Sequence, residues 1–219
     1  MTSPIFHSKT PFFPKIEKQI AALLNHQPDF LTSRANSPRA VGDAMEGLIA
    51  QHLPEILGKN CKEFMPAFAR RAMADVAFID SADCYHNVDV KTHRLDASFS
   101  MPNLTSVQRI AKLYEDDSNY FTILLVSYLL DGNNIQVKQC HFVPIEFLSW
   151  ECLTVGALGW GQIQIANANR IIVNPNKTRK EWMLELCDVM LEFYPKEIAK
   201  ITGRIIHFEE LKAVWQQKP

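Results

Sequence analysis

The chain has 219 residues, 47% of them hydrophobic and 21% charged. That composition is globular, with length enough for a core that needs no disulfide or structural metal, and it excludes a disordered or low-complexity chain. Its 23 basic and 24 acidic residues leave a net charge of −1, which excludes a general polycation that coats nucleic acid or anionic membrane but leaves room for a local basic groove.

Residues 1–13, rich in Pro, Ser, Thr and Phe, read as an arm with no apolar leader segment. Ile16, Ile20, Leu23 and Leu24 at helical spacing after Pro14 predict a helix over 15–26. Residues 28–34 connect it to a second helix. Ser37 caps that helix, Pro38 opens it, and Val41, Met45, Leu48, Ile49, Leu53 and Ile56 form its stripe as far as Gly58-Lys59-Asn60. Residues 74–79 read as a short strand and 80–84 as a turn. Residues 87–92, with Val88 and Val90 alternating with polar partners, read as a second strand antiparallel to the first. Residues 93–106 read as a loop and 104–114 as helical. The apolar run 120–130 is a buried central strand, too short and too polar to span a membrane. Asp131-Gly132-Asn133-Asn134 turns the chain into a returning strand over 135–143. Three glycines over 156–161 precede an alternating strand, 162–165. A long helix capped by Thr178 runs over 178–200 with Pro195 bending it, and a shorter one follows at 208–216. The expected whole is a single α/β domain over 1–219, a mixed central β-sheet flanked by helices. Cys61, Cys84, Cys140, Cys152 and Cys187 are scattered without a CxxC pair, which points to a reducing, cytoplasmic setting.

The chemistry concentrates in Ala74-Asp75-Val76-Ala77-Phe78 and Asn87-Val88-Asp89-Val90-Lys91-Thr92. Side chains two apart on a strand share a face, so Asp89 and Lys91 point together and a hairpin brings Asp75 to them. Two adjacent carboxylates are best reconciled by a hard divalent cation, and Mg²⁺ suits one or two carboxylates plus waters and a phosphate oxygen. A lysine beside them can orient a water or stabilise developing charge.

This pattern resembles the PD-(D/E)xK nucleases: an aspartate at a strand start, then Asp or Glu, any residue and Lys on the next strand. Asp75 and Asp89-Val90-Lys91 carry it. Glu46 matches the glutamate that the family often has on the preceding helix, and Ala74 stands where the family usually has proline. The motif covers residues 37–92, and element order carries the likeness further. The chain length and the Asp-Val-Lys-Thr string look most like the EcoRV-like branch of type II restriction endonucleases. The resemblance implies a restriction-endonuclease-like core and Mg²⁺-dependent cleavage of double-stranded DNA at a short palindrome, leaving 5′-phosphate and 3′-hydroxyl ends. In those roles Asp75 and Asp89 hold the metal, Lys91 positions or activates the water, and Glu46 supports a second metal or its hydration shell. It also implies a homodimer and a cognate DNA methyltransferase as genetic partner, with no membrane association.

Such an enzyme holds phosphates with basic side chains and reads bases with Arg, Asn and Gln. Arg34, Arg39, Arg70, Arg71, His93, Arg94, Arg109 and Lys112 surround the motif in sequence, and Lys177 and Arg179 sit at a helix start, where they do not help the helix dipole. Asn103, in the 98–106 segment, and Gln162, Gln164, Asn167, Asn169 and Arg170, with Trp160 alongside, are the candidate base readers. A repair or transposition nuclease with the same site, and a non-catalytic DNA-binding module with a structural acidic pair, are the alternatives. Zinc at Cys84, His86 and His93, or at Cys140-His141, lacks a recognised ligand spacing. No G-x-S-x-G, phosphate-loop or dinucleotide glycine motif is present.

Overall fold

The computed structural model describes residues 2–26, 38–66, 73–96, 100–132 and 134–218. They group into two compact units, Met1–Asn176 and Lys177–Pro219.

In the first unit, α1 (Phe13–Asn25) is followed by α2 (Pro38–Leu57), β1 (Cys61–Met65), β2 (Val76–Asp80) and β3 (Tyr85–Arg94). Then come β4 (Asn103–Ser106), α3 (Val107–Leu113), β5 (Asn119–Asp131), β6 (Asn134–Pro144), β7 (Leu153–Gly156) and β8 (Gln162–Ile165). A five-stranded sheet has the order β1-β2-β3-β5-β6. Only β3 and β5 run parallel in it, so the sheet is mixed as the sequence predicts. A smaller antiparallel sheet has the order β4-β8-β7.

Burial explains which strands the sequence shows and which it hides. Tyr120 to Tyr128 of β5 are buried without interruption, because an interior strand covered on both faces carries an apolar run. Strand β1 was not expected: Cys-Lys-Glu-Phe-Met is an exposed edge, and edge strands carry charge. Part of the expected loop over 93–106 is β4, whose pairing with β8 needs partners far along the chain. Ser106 accepts from the Arg109 amide at 3.2 Å, so α3 begins after it rather than at Leu104. The other edge, β6, is covered by α1. The Phe142 amide donates to Glu17 Oε1 at 2.8 Å and the Val137 amide to Asn25 Oδ1 at 2.8 Å. In α2, Val41, Met45, Ile49, Leu53 and Leu57 are buried one turn apart. The expected cap Ser37 lies outside the described residues.

The arm is part of the core. Ile5 and Phe6 are buried, and Phe6 packs among Phe13, Tyr120, Phe142 and Phe147. Ser3 Oγ donates to Asp80 Oδ2 at 2.6 Å, and the Tyr120 hydroxyl accepts from the Ser3 amide at 3.0 Å. His86 stacks between Phe78 (4.4 Å, 2°) and Tyr120 (5.0 Å, 15°), with Nε2 3.1 Å from Asp80 Oδ2. Burial alone would raise the Asp80 pKa. Hydrogen bonds from His86, Ser3 and the Cys84 and Ala82 amides outweigh it and hold the carboxyl below its ordinary range.

The second unit is a single helix, α4 (Arg179–Gln216), 38 residues long. Thr178 caps it in a full capping box with Glu181. The sequence suggested two helices with a break near residues 201–207. The break is absent: Pro195 lies inside one continuous helix, and Gly203 is helical. A β-branched run with one glycine lowers helix propensity by tenths of a kcal/mol up to about 1 kcal/mol per residue, too little to end a helix flanked by strong helix formers.

Candidate functional site

Strands β2 and β3 build the site. Val76, the first residue of β2, pairs with Val88, and Asp75 just before it lies against the Val88–Val90 stretch of β3. The Asp75 amide donates to the Val88 carbonyl at 2.9 Å, and Asp75 Oδ2 accepts the Val90 amide at 2.7 Å. The last turn of the ladder is thus closed by the Asp75 side chain, which fixes that carboxylate beside β3. Lys91 Nζ donates to Asp89 Oδ1 at 2.6 Å, as their shared face allows.

Burial differs sharply across the pair. Asp89 is 6% exposed, and its second oxygen, Oδ2, has no hydrogen-bond partner among the described residues. Burial pushes the Asp89 pKa up to about 7. The Lys91 charge and hydrogen bond oppose that rise, and Asp75 and Glu46 add to it. Glu46, half-buried on α2, is also raised, first by burial and then by Asp75 and Asp43, with Lys91 opposing. Three carboxylates and one ammonium therefore share one electrostatic neighbourhood, with negative charge in excess. An unpaired buried carboxylate oxygen costs about 1–3 kcal/mol, so this one calls for a partner such as a cation or a water.

Gly42 carries no functional signal in the sequence. A β-carbon there would come within 3.0 Å of Thr92 Oγ1, so this glycine lets α2 lie close to the residue after Lys91. Glu46 is one helical turn further on the same face.

The donor set fits a hard cation that keeps most of its waters. Such an ion needs one or two carboxylates, and Asp89 Oδ2 and the Asp75 oxygen not bonded to Val90 are available. Among the described residues no three His, Cys, Asp or Glu side chains close into a cage, so the arrangement is an open one. His86 is taken up by Asp80 and lies 3.3 Å from Thr122 Oγ1, and a core histidine so held is not oriented for zinc.

The candidate DNA contacts fall into separate groups. His93 Nε2 donates to Asn169 Oδ1 at 2.8 Å, tying the segment after β8 to the strand of Asp89 and Lys91. Asn167 Oδ1 accepts the Asn169 amide at 2.9 Å. Gln164 Nε2 donates to Asn103 Oδ1 at 2.6 Å across β8 and β4, which brings the two proposed reading segments side by side. Gln162 lies on the same strand opposite Ser106, and Arg170 is exposed. Arg94 donates twice to Asp96, at 2.6 and 2.8 Å. Arg39, Arg109 and Lys112 are exposed. Lys177 and Arg179 belong to the second unit, where Lys177 is ion-paired with Glu185. Arg34, Arg70 and Arg71 lie outside the described residues. No helix among the described residues is long and apolar enough to cross a membrane.

No protein-family model matches this chain, and no curated protein matches it.

Proposed function

We propose that the chain is a Mg²⁺-dependent endonuclease of the PD-(D/E)xK type, acting on double-stranded DNA as a type II restriction enzyme. The carrying observation is the orphaned, buried Asp89 Oδ2, with Lys91 held on the other oxygen of Asp89 and Asp75 held on the amide of the next residue, Val90. A strand order of β1-β2-β3-β5-β6 with a single parallel pair is compatible with a restriction-endonuclease-like core.

Asp75 and Asp89 would hold the ion, with Glu46 at its hydration shell. Bound there, Mg²⁺ supplies charge neutralisation at the phosphate and acidifies a coordinated water. The chain's own residues do the rest. The Val90 amide and the Lys91 ammonium fix the two carboxylates, so that no rearrangement is needed when phosphate arrives. Lys91, with a quarter of its side chain exposed, can donate both to Asp89 and to the attacking water or a phosphate oxygen. Asn103, Gln162, Gln164, Asn167, Asn169 and Arg170 are the base-reading candidates, and the His93–Asn169 bond links them mechanically to the cleavage strand. A palindromic target implies a homodimer, and a self-protecting cell implies a DNA methyltransferase with the same target. A reducing cytoplasm is the setting that the scattered cysteines fit.

Digestion of unmethylated phage DNA, with Mg²⁺ and with chelator, tests the reading. Discrete Mg²⁺-dependent fragments support it, and their ends give the site. Cutting confined to branched DNA would replace it with a repair nuclease. Absence of cleavage across metals and salts would leave a DNA-binding module with a structural acidic pair.

A further inference from the structure

Among the described residues, helix α4 is the only element of the second unit. At 1.5 Å per residue it extends about 57 Å; near its start Trp182, Leu186 and Met190 are buried, while another apolar face stays exposed along its length. That face has a particular period. Leu191, Tyr194, Ile198, Ile201, Ile205 and Phe208 follow at alternating steps of three and four, and all are exposed, from 40% at Tyr194 to 73% at Leu191. Lys212 and Trp215 continue the alternation, and Leu184 and Cys187 begin it. The repeat is 3.5 residues, that of a left-handed coiled-coil seam, with Leu191, Ile198, Ile205 and Lys212 at position a and Tyr194, Ile201, Phe208 and Trp215 at position d.

We propose that this seam, residues 184–215, pairs with the same seam of a second copy of the chain as a parallel, two-stranded coiled coil. The proposal stands independently of the nuclease reading. Three observations select the occupant. The first is area: the exposed fractions at the seam from Leu191 to Trp215 correspond to roughly 800 Å² per helix, the scale of a standard stable interface and more than a soluble monomer leaves in one patch.

The second is charge. Arg204 occupies position g, and Glu209, five residues on, occupies e. Five residues is the offset at which g of one parallel helix meets e of the other, so a symmetric pair makes two Arg204–Glu209 contacts between copies. An antiparallel pair centred on Ile201 and Ile205 would set Arg204 against its own copy. The third is Lys212 at a. One charged a position costs stability, and it disfavours higher-order bundles, in which the ammonium would be enclosed.

Sedimentation of the full chain should give a dimer that dissociates on dilution. Ile201→Glu with Ile205→Glu should give a monomer whose first unit still melts cooperatively at the wild-type temperature. Arg204→Glu and Glu209→Arg should each raise the dimer dissociation constant about fivefold, and the two together should restore it. Gln217→Cys should form an oxidant-dependent covalent dimer beyond that of wild type, because only a parallel pair brings the two C-terminal ends together. A wild-type monomer at every concentration, a trimer or tetramer, or a dimer indifferent to the double glutamate change would overturn the proposal. So would a double charge swap no tighter than the singles, or a Gln217→Cys chain that does not cross-link.

Discussion

Replacing Asp89 by Asn should make the protein more stable at alkaline pH. The folded carboxyl is raised from 3.8 to about 7. A carboxyl with a raised folded pKa contributes stability that is fully present below its unfolded pKa and is lost as pH rises through the folded value. The full shift is worth about 4 kcal/mol between pH 3.8 and pH 8. Asparagine carries no charge and escapes that loss, and the 2.6 Å hydrogen bond from Lys91 is already contained in the raised value. The net expectation is a gain of up to about 4 kcal/mol at pH 8.5, shrinking to nothing near pH 4. For a chain of this size that is about 10 °C in melting temperature. Thermal and urea unfolding in chelator, run across pH 4–8.5, measure it directly. Mg²⁺ should stabilise the wild type by mass action and leave Asp89→Asn unmoved. A structural ion pair gives the opposite sign, since removing one partner of a buried pair costs about 3–5 kcal/mol. A variant less stable than wild type at pH 8.5 would therefore refute both the assignment of Asp89 and the reasoning behind it.

Lys91→Ala should keep DNA binding within a few-fold while Mg²⁺-dependent cleavage falls by at least about a hundredfold; a gel shift beside a plasmid nicking assay checks both. Glu17, raised to about 7 chiefly by burial, should lose stabilisation as pH rises from 4.5 through 7, by about 1–2 kcal/mol once solvent screening of a half-buried carboxylate is allowed for. Glu17→Gln keeps an acceptor for the Phe142 amide, so its unfolding curves should diverge upward from wild type over that window, and parallel curves would count against it. Asn169→Ala strands the buried His93 N–H and should cost about 1–2 kcal/mol by urea titration, whereas Asn169→Asp, which restores an acceptor, should recover most of it.

The part of the site legible in the sequence is the part set by strand periodicity. Asp89 and Lys91 two apart must share a face, and a short turn between two β-patterned runs makes a hairpin, so the approach of Asp75 to the Asp89–Lys91 strand could be reached without coordinates. What was not legible depends on partners distant in sequence or on the absence of a side chain. Strand β1 has no apolar signal because its outer edge faces solvent. Asn103 meets Gln164 only because β4 and β8 pair across 61 positions. Gly42 reads as a poor helix residue until Thr92 is seen against it. The continuity of α4 was hidden by Gly203 and the β-branched residues around it, which suggest a break when judged locally.

The arm that begins the described chain has a consequence for how the protein is made. Ser3 bonds to Tyr120, 117 positions later, and to Asp80, 77 positions later. During synthesis these residues leave the ribosome long before Asp80 and Tyr120 are made, so they cannot dock until those partners have followed. Until they dock, the ring cluster of Phe13, Tyr120, Phe142 and Phe147 lacks Phe6, which touches every one of them. A chain that forms this cluster before the arm docks shows an aromatic surface of the kind that holding chaperones retain.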